Sequence, residues 1–356
     1  MNMNNGKQSV EGSTILYGVP KVGYGEYGGC TPFPICLKAA ANYLGEDIDY
    51  DYAMVVSGAA FRLTWDETCW NGGNVDVIFA FDDPEMVYKN GIEALGRKFE
   101  LLTREPKATK EDFISFIKKQ IDKGYPCIGL GFIGPPEACL ITGYRNEGKT
   151  LLGWNFFQDC PEYAAVLKFD DSGYFITDSW WENKDTVAVM AMGEKTSSPM
   201  PLKTMVQNAI TVLSGRRQGN YAKGLMAYDA WKKAITDESQ FPVEPILPLL
   251  AERLMCQGDA TDCISDGRSN VAKFFRKLAE QNPEQPLFRE IAGKFHAVAQ
   301  NSYEMYRTLG GWQRGENQMR QLSVRENRLK IAELIDKCKA ADSEALQLLQ
   351  KLEETL

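Results

Sequence analysis

The stretch GGCTPFPICLKAAANYLG, residues 28 to 45, decides how the rest of this chain is read. From Pro34 to Leu44 it has helical spacing, with Leu37, Ala40, Ala41 and Leu44 on one face and Gly45 as its stop. Cys36 then falls in the first turn, just after Pro34 sets the entry. Unpaired backbone amides at a helix start favour an anion, so a thiolate there is stabilised and its pKa lowered. A nucleophile so placed, reached from a glycine-rich loop, is what thiol hydrolases and acyltransferases use. The plainer alternative is a packed cysteine among alanines, since cysteine is commonly buried.

Outward from this helix, a second begins near Asp49, itself a candidate N-cap. A third spans Thr109 to Lys123. Thr109 with Asp112 has the form of a capping pair, and Phe113, Ile114, Phe116, Ile117 and Ile121 make its buried side. Strands follow at Cys127–Ile133, Ala138–Tyr144, Leu151–Phe157, Ala164–Phe169 and Thr186–Met192, parted by turns such as Asn146-Glu147-Gly148. Helices first and strands later, without regular βαβ alternation, predict an α+β fold with an antiparallel sheet. The polar run from Glu194 to Met200 reads as a linker. Beyond it the chain is helical, with apolar stripes at Leu225, Tyr228, Trp231 and Ile235, at Leu287, Ile291, Phe295 and Val298, and at Leu346, Leu349, Leu352 and Leu356. Ser343 is the expected N-cap of the last helix. The expected organisation is a disordered terminus over residues 1–14, an α+β domain over 15–198 and an all-α region over 199–356.

Bulk properties narrow the function classes. The chain has 356 residues and a net charge of −8, with lysines and arginines spread among acids. No basic stripe is present to displace counterions, so neither nucleic acid nor a membrane surface is an expected partner. Nowhere do eighteen apolar residues run together, and the first fourteen have no apolar segment of a signal peptide. The nine cysteines are odd in number, several lie in apolar runs, and no CxxC occurs. With a single histidine, His296, a Cys/His zinc site has little to work with. Buried thiols in a reducing, cytoplasmic compartment are expected, with no metal and no cofactor. GYGEYGG, residues 23 to 29, lacks the lysine of a phosphate loop, and no Ser-His-Asp set can be built.

Larger phrases carry a resemblance. A helix led by a cysteine, an amphipathic helix, then KGYPCIGLGF (123–132), PPEACLITGY (135–144) and TLLGWNFF (150–157) resemble the papain-like leader peptidases of bacteriocin export. YGVPKVGYGEYGGCTPFPICLKAAANYLGE (17–46), VSGAAFRLTW (56–65), GLMAYDAW (224–231) and DGRSNVAKFFRKLAE (266–280) are similar to the butirosin biosynthesis protein H-like family. The resemblance spans most of the chain from Tyr17 onward. It implies a papain-like α+β domain followed by a helical region. The activity it implies is thiol-dependent acyl transfer or amide hydrolysis on a small-molecule or peptide-like substrate, a carrier-protein thioester being one candidate.

The departure from that pattern lies at the base. Where the peptidases place histidine, this chain has Glu137, and Asn155 stands eighteen residues later in the position of the orienting residue. Cys30 or Thr31 occupies the stretch that holds the oxyanion-hole glutamine of the resembled enzymes. The candidate set is therefore Cys36, Glu137 and Asn155, with Cys30, Thr31, Arg62, Trp65 and Trp154 as candidate substrate contacts. With reference pKa values of ~8.5 for a thiol and ~4.3 for a glutamate, proton transfer is uphill by ~5.7 kcal/mol unless burial raises the carboxyl. The competing reading has Glu137 bonded to a backbone amide or to Arg62, His296 as a half-buried packing residue, and the chain as a non-catalytic descendant that binds a small ligand or peptide in the old cleft.

Overall fold

Local chemistry sets the helix that the sequence marks most clearly. The Thr109 hydroxyl accepts the Asp112 N–H at 3.2 Å, and the Asp112 carboxylate accepts the Thr109 N–H at 2.8 Å. This reciprocal cap satisfies two amides that a helix start leaves without intrahelical partners. The computed structural model describes residues 6–25, 29–164, 167–242, 244 and 246–356. Part of the glycine-rich run 23–29, Gly28 of the opening stretch, and two residues of the expected strand 164–169 lie outside the described residues.

In chain order the first elements are β1 (Gly6–Val10), β2 (Ser13–Tyr17), α1 (Pro32–Tyr43), α2 (Tyr50–Val56), β3 (Thr64–Asp66) and α3 (Met86–Glu93). Next come β4 (Arg97–Thr103), α4 (Lys110–Asp122), β5 (Cys127–Leu130), β6 (Ala138–Arg145), β7 (Thr150–Trp154), α5 (Pro161–Ala164), β8 (Lys168–Phe169), β9 (Phe175–Thr177) and β10 (Ala188–Lys195). The last group is α6 (Leu202–Leu213), β11 (Arg216–Gln218), β12 (Tyr221–Lys223), α7 (Leu225–Thr236), α8 (Leu247–Gln281), α9 (Pro286–Thr308), α10 (Glu316–Ser323) and α11 (Arg325–Thr355). The chain forms two compact units, one of Met1–Ala53 with Gly91–Pro199 and one of Met54–Asn90 with Met200–Leu356. The unit boundary near residue 199 agrees with the expected linker, but residues 54–90 leave the first unit and belong to the second.

The first unit is α+β. Its antiparallel sheet runs in the order β4-β10-β5-β6-β7-β9-β8, with β2 also pairing β6 and β1 pairing β2. Helices α1 and α4 pack on its strands, α1 against β5 and β6. Strands β5, β6 and β7 form the expected meander, whereas β10 returns to lie between β4 and β5. The expected disordered terminus is corrected from residue 6 on. β1 and β2 form a hairpin closed at Val10 and Ser13, with Gly12 at φ +70° in the turn. Its outer strand is polar and exposed, so alternation did not reveal it; Ile15 and Leu16 of β2 supply the buried side.

The second unit is not all-α. β3 pairs β12, and β12 pairs β11, in a small antiparallel sheet. Trp65 on β3 stacks on Trp231 of α7 at 6.0 Å and meets Trp70 edge-on at 5.3 Å. These rings sit in one apolar core with residues of α8, α9 and α11. Burying them is what draws the 54–90 segment into this unit. Ser343 is no cap, since α11 runs unbroken past it from Arg325. Among the described residues no helix is long and apolar enough to cross a membrane.

One carboxylate of this unit gives a pH test. Asp259 on α8 is buried beside Arg314, and burial pushes its carboxyl up from 3.8 to about 6, against the pull of Arg314 and with a smaller push from Asp262. An acid whose folded pKa is raised favours the folded state at low pH. That contribution is complete below about pH 4 and is lost as pH rises to about 6, amounting to about 3 kcal/mol at most. Stability measured by urea denaturation from pH 4 to 7 is therefore expected to fall less steeply in Asp259→Asn than in the parent chain. An unchanged slope would contradict the burial of this group.

Candidate functional site

Helix α1 opens two residues earlier than its apolar spacing suggests. Thr31 is its N-cap and Pro32 its first residue, so Cys36 is the fifth helical residue and lies beyond the first turn. Proline suits a helix start, since its missing N–H would have had no intrahelical partner there. Two prolines in the first three positions also remove two amides that would attract an anion. The Thr31 carbonyl accepts the Ile35 N–H at 3.3 Å, and the Thr31 N–H is donated to the Tyr50 hydroxyl at 3.0 Å. The anion-holding helix start expected at Cys36 is thus replaced by closed backbone pairing and proline.

Cys36 itself has 0% of its surface exposed. Burial pushes its thiol well above the ordinary value, with Cys139 on β6 and the Glu137 carboxylate adding to the shift. Cys139 is pushed up to about 12, again by burial. Both are neutral thiols at physiological pH. The Glu137 carboxylate acts on the Cys36 thiol only as a minor upward electrostatic push, after burial and Cys139. The sign of that interaction opposes thiolate formation.

Asn155 follows β7 and is fully engaged. Its Nδ2 donates to the Ile133 carbonyl at 3.3 Å, and its Oδ1 accepts the Phe157 N–H at 2.7 Å. Its own N–H is donated to Gln158 Oε1 at 3.0 Å, and Gln158 Nε2 donates to the Gly173 carbonyl at 3.3 Å. Asn155 therefore fastens its own turn to the loop that leads into Glu137. That loop is held further by Asn183, whose Nδ2 donates to the carbonyls of Gly131 and Gly134.

The other expected contacts divide between the units. Trp154 is interior packing: Nε1 donates to the Val19 carbonyl at 2.9 Å, and the ring meets Tyr174 edge-on at 4.9 Å. Arg62 and Trp65 belong to the second unit. The Arg62 guanidinium donates to the carbonyls of Val75 and Ala59 at 2.8 and 2.7 Å. Trp65 is a core residue that also lines a cavity of about 200 Å³ in that unit, beside Trp70 and the exposed Cys69. Cys30 is exposed. His296 is exposed on α9, not half-buried as expected.

Sequence reasoning missed Tyr24. Its ring packs on Phe156 at 4.9 Å while 45% of its surface remains exposed. Burial raises its phenol, with further upward pushes from Glu137, Cys30, Cys160 and Cys36. The motif around Cys36 gave no sign of this tyrosine. Sequence reasoning also missed a cavity of about 580 Å³ in this unit, bounded by Phe132, Ile133, Tyr163, Leu167, Asp178 and Asp185 among others. Its wall includes the loop that Asn155 and Asn183 hold. Among the described residues no group of histidine, cysteine and acidic side chains has the arrangement to hold a metal ion. No protein-family model and no curated protein matches this chain.

Proposed function

We propose that this chain is a non-catalytic binding protein on a papain-like scaffold, taking a small or peptide-like ligand in the cavity beside the β5–β6 loop. The observation that carries this reading is the complete burial of a neutral Cys36 thiol in a unit that contains no histidine. A thiol nucleophile needs exposure, a lowered pKa or an adjacent base. The cavity, by contrast, falls in the size range of small-molecule sites and is lined by apolar and polar side chains in about equal share. The papain-like assignment rests on the helix bearing Cys36 packed on the strand that follows Glu137, together with the sequence resemblance.

The nearness of Glu137 to Cys36 favours a second reading, thiol-dependent acyl transfer. Incubation with an N-acetylcysteamine thioester separates the two. The expected result is no covalent adduct on Cys36 by intact mass at any pH from about 6 to 9, and ligand-induced thermal stabilisation equal in the parent and Cys36→Ala. An adduct lost in Cys36→Ala would overturn the binding reading.

A further inference from the structure

A second cavity of the first unit, about 380 Å³, is lined from the ends of β2, β6 and β8 and from the turn between β8 and β9. Its apolar side is built of rings. Tyr17 stacks on the buried Tyr174 at 6.0 Å with the planes 9° apart, and the Tyr174 hydroxyl donates to the Leu16 carbonyl at 2.8 Å. Phe169, 43% exposed, and Ile176 of β9 also line it. Among the described residues, Ile176 alone is shared with the cavity beside the β5–β6 loop.

The charged side is unevenly satisfied. One carboxylate oxygen of Asp170 is engaged inside its own turn, accepting the N–H groups of Ser172 and Tyr174 at 2.9 and 3.0 Å and the Ser172 hydroxyl at 2.6 Å. The other faces the Arg145 guanidinium at 3.9 Å, too far for a hydrogen bond. The guanidinium is thus drawn toward Asp170 and, among the described residues, donates no hydrogen bond. Asp171, the next residue, is exposed, and its carboxylate has neither a hydrogen bond nor an ion pair among the described residues.

We infer that this cavity binds a free α-amino acid with an aromatic side chain. The unused donors of Arg145 form a planar fork that matches a carboxylate two bonds at a time. The lining holds one cation and two carboxylates. A simple anion would meet Asp171 and a simple cation would meet Arg145, whereas a zwitterion satisfies both. An α-amino acid carries its carboxylate and its ammonium on one carbon, and an aromatic side chain then packs on Tyr17 and Phe169. The volume falls within the range of small-molecule clefts. The inference is independent of the function proposed for the other cavity.

Isothermal titration calorimetry of the full chain with L-phenylalanine is expected to show saturable binding. N-acetyl-L-phenylalanine, which lacks the ammonium, and L-phenylalanine methyl ester, which lacks the carboxylate, should each bind about tenfold more weakly or worse. Arg145→Gln should weaken phenylalanine binding by a similar factor and erase its advantage over the methyl ester, because the contact missing from the ester is then missing from the protein. Asp171→Asn should erase the advantage over the N-acetyl compound in the same way. Both side chains reach solvent, and unaltered thermal unfolding of each variant checks that the fold is kept. Absence of saturable binding, equal binding of the three compounds by the parent chain, or phenylalanine binding indifferent to both substitutions would each overturn the inference. The last result would seat the amino acid elsewhere and leave the reading of the other cavity intact.

Discussion

Replacing Asp342 by alanine is expected to destabilise the second unit by about 3–5 kcal/mol, the usual consequence of leaving a buried charge without its partner. Asp342 on α11 and Arg268 on α8 have side chains wholly removed from solvent and meet at 2.7 Å. Arg268 also donates to the carbonyls of Ala60 and Arg62, both at 2.9 Å, and the Tyr228 hydroxyl donates to Asp342 at 2.8 Å. The buried pair thus ties α8, α11, α7 and the segment 54–90 together. The adjacent Gly267 permits the approach, for a Cβ there would come within 2.4 Å of the Ala60 carbonyl oxygen. Urea denaturation of Asp342→Ala measures the loss. The double variant Arg268→Met with Asp342→Leu is expected to recover a large part of it, because the uncompensated charge is gone. A loss below about 1 kcal/mol in the single variant would show that the pair is not desolvated.

The second large effect is expected at Gly131, in the loop whose following residues line the cavity. This residue has φ +76°, and a Cβ on it would lie 1.7 Å from the backbone oxygen of Asp185. Backbone cannot swing aside as a long side chain does. The same residue donates its N–H to the Glu137 carbonyl, while its own carbonyl accepts from Asn183 and Thr186. Gly131→Ala is expected to cost about 3 kcal/mol or more, combining left-handed strain with a forced shift of the loop. Thermal unfolding measures it, and a change within about 0.5 kcal/mol would contradict the loop geometry.

Much of this architecture is legible in the residues themselves, for reasons that are local. The Thr109–Asp112 cap, the apolar stripes of α7 and α9, and the turns separating β5, β6 and β7 are all decided by neighbours in sequence. What stayed hidden is non-local. β10 crosses back to lie between β4 and β5, and no periodicity announces such a register. The 54–90 segment changes unit because Trp65 stacks on a ring more than 160 positions away, Trp231. At the candidate site, the helix that bears Cys36 was readable from the motif, but the depth of the sulfur was not. The helix start moved back to Pro32 and placed the sulfur one turn inside. The cavity beside the β5–β6 loop is assembled from separate turns and strands, so no single stretch carries its signature.

The central claim is that the Cys36 sulfur is sealed and protonated. Site-resolved alkylation with iodoacetamide under native conditions, read by peptide mass, tests it directly. The expected result is rapid labelling of Cys30 and Cys69, which are exposed, and none of Cys36 until the chain is unfolded. Labelling of Cys36 ahead of Cys30, with an apparent pKa below about 8, would contradict the account and restore a reactive thiol to this site.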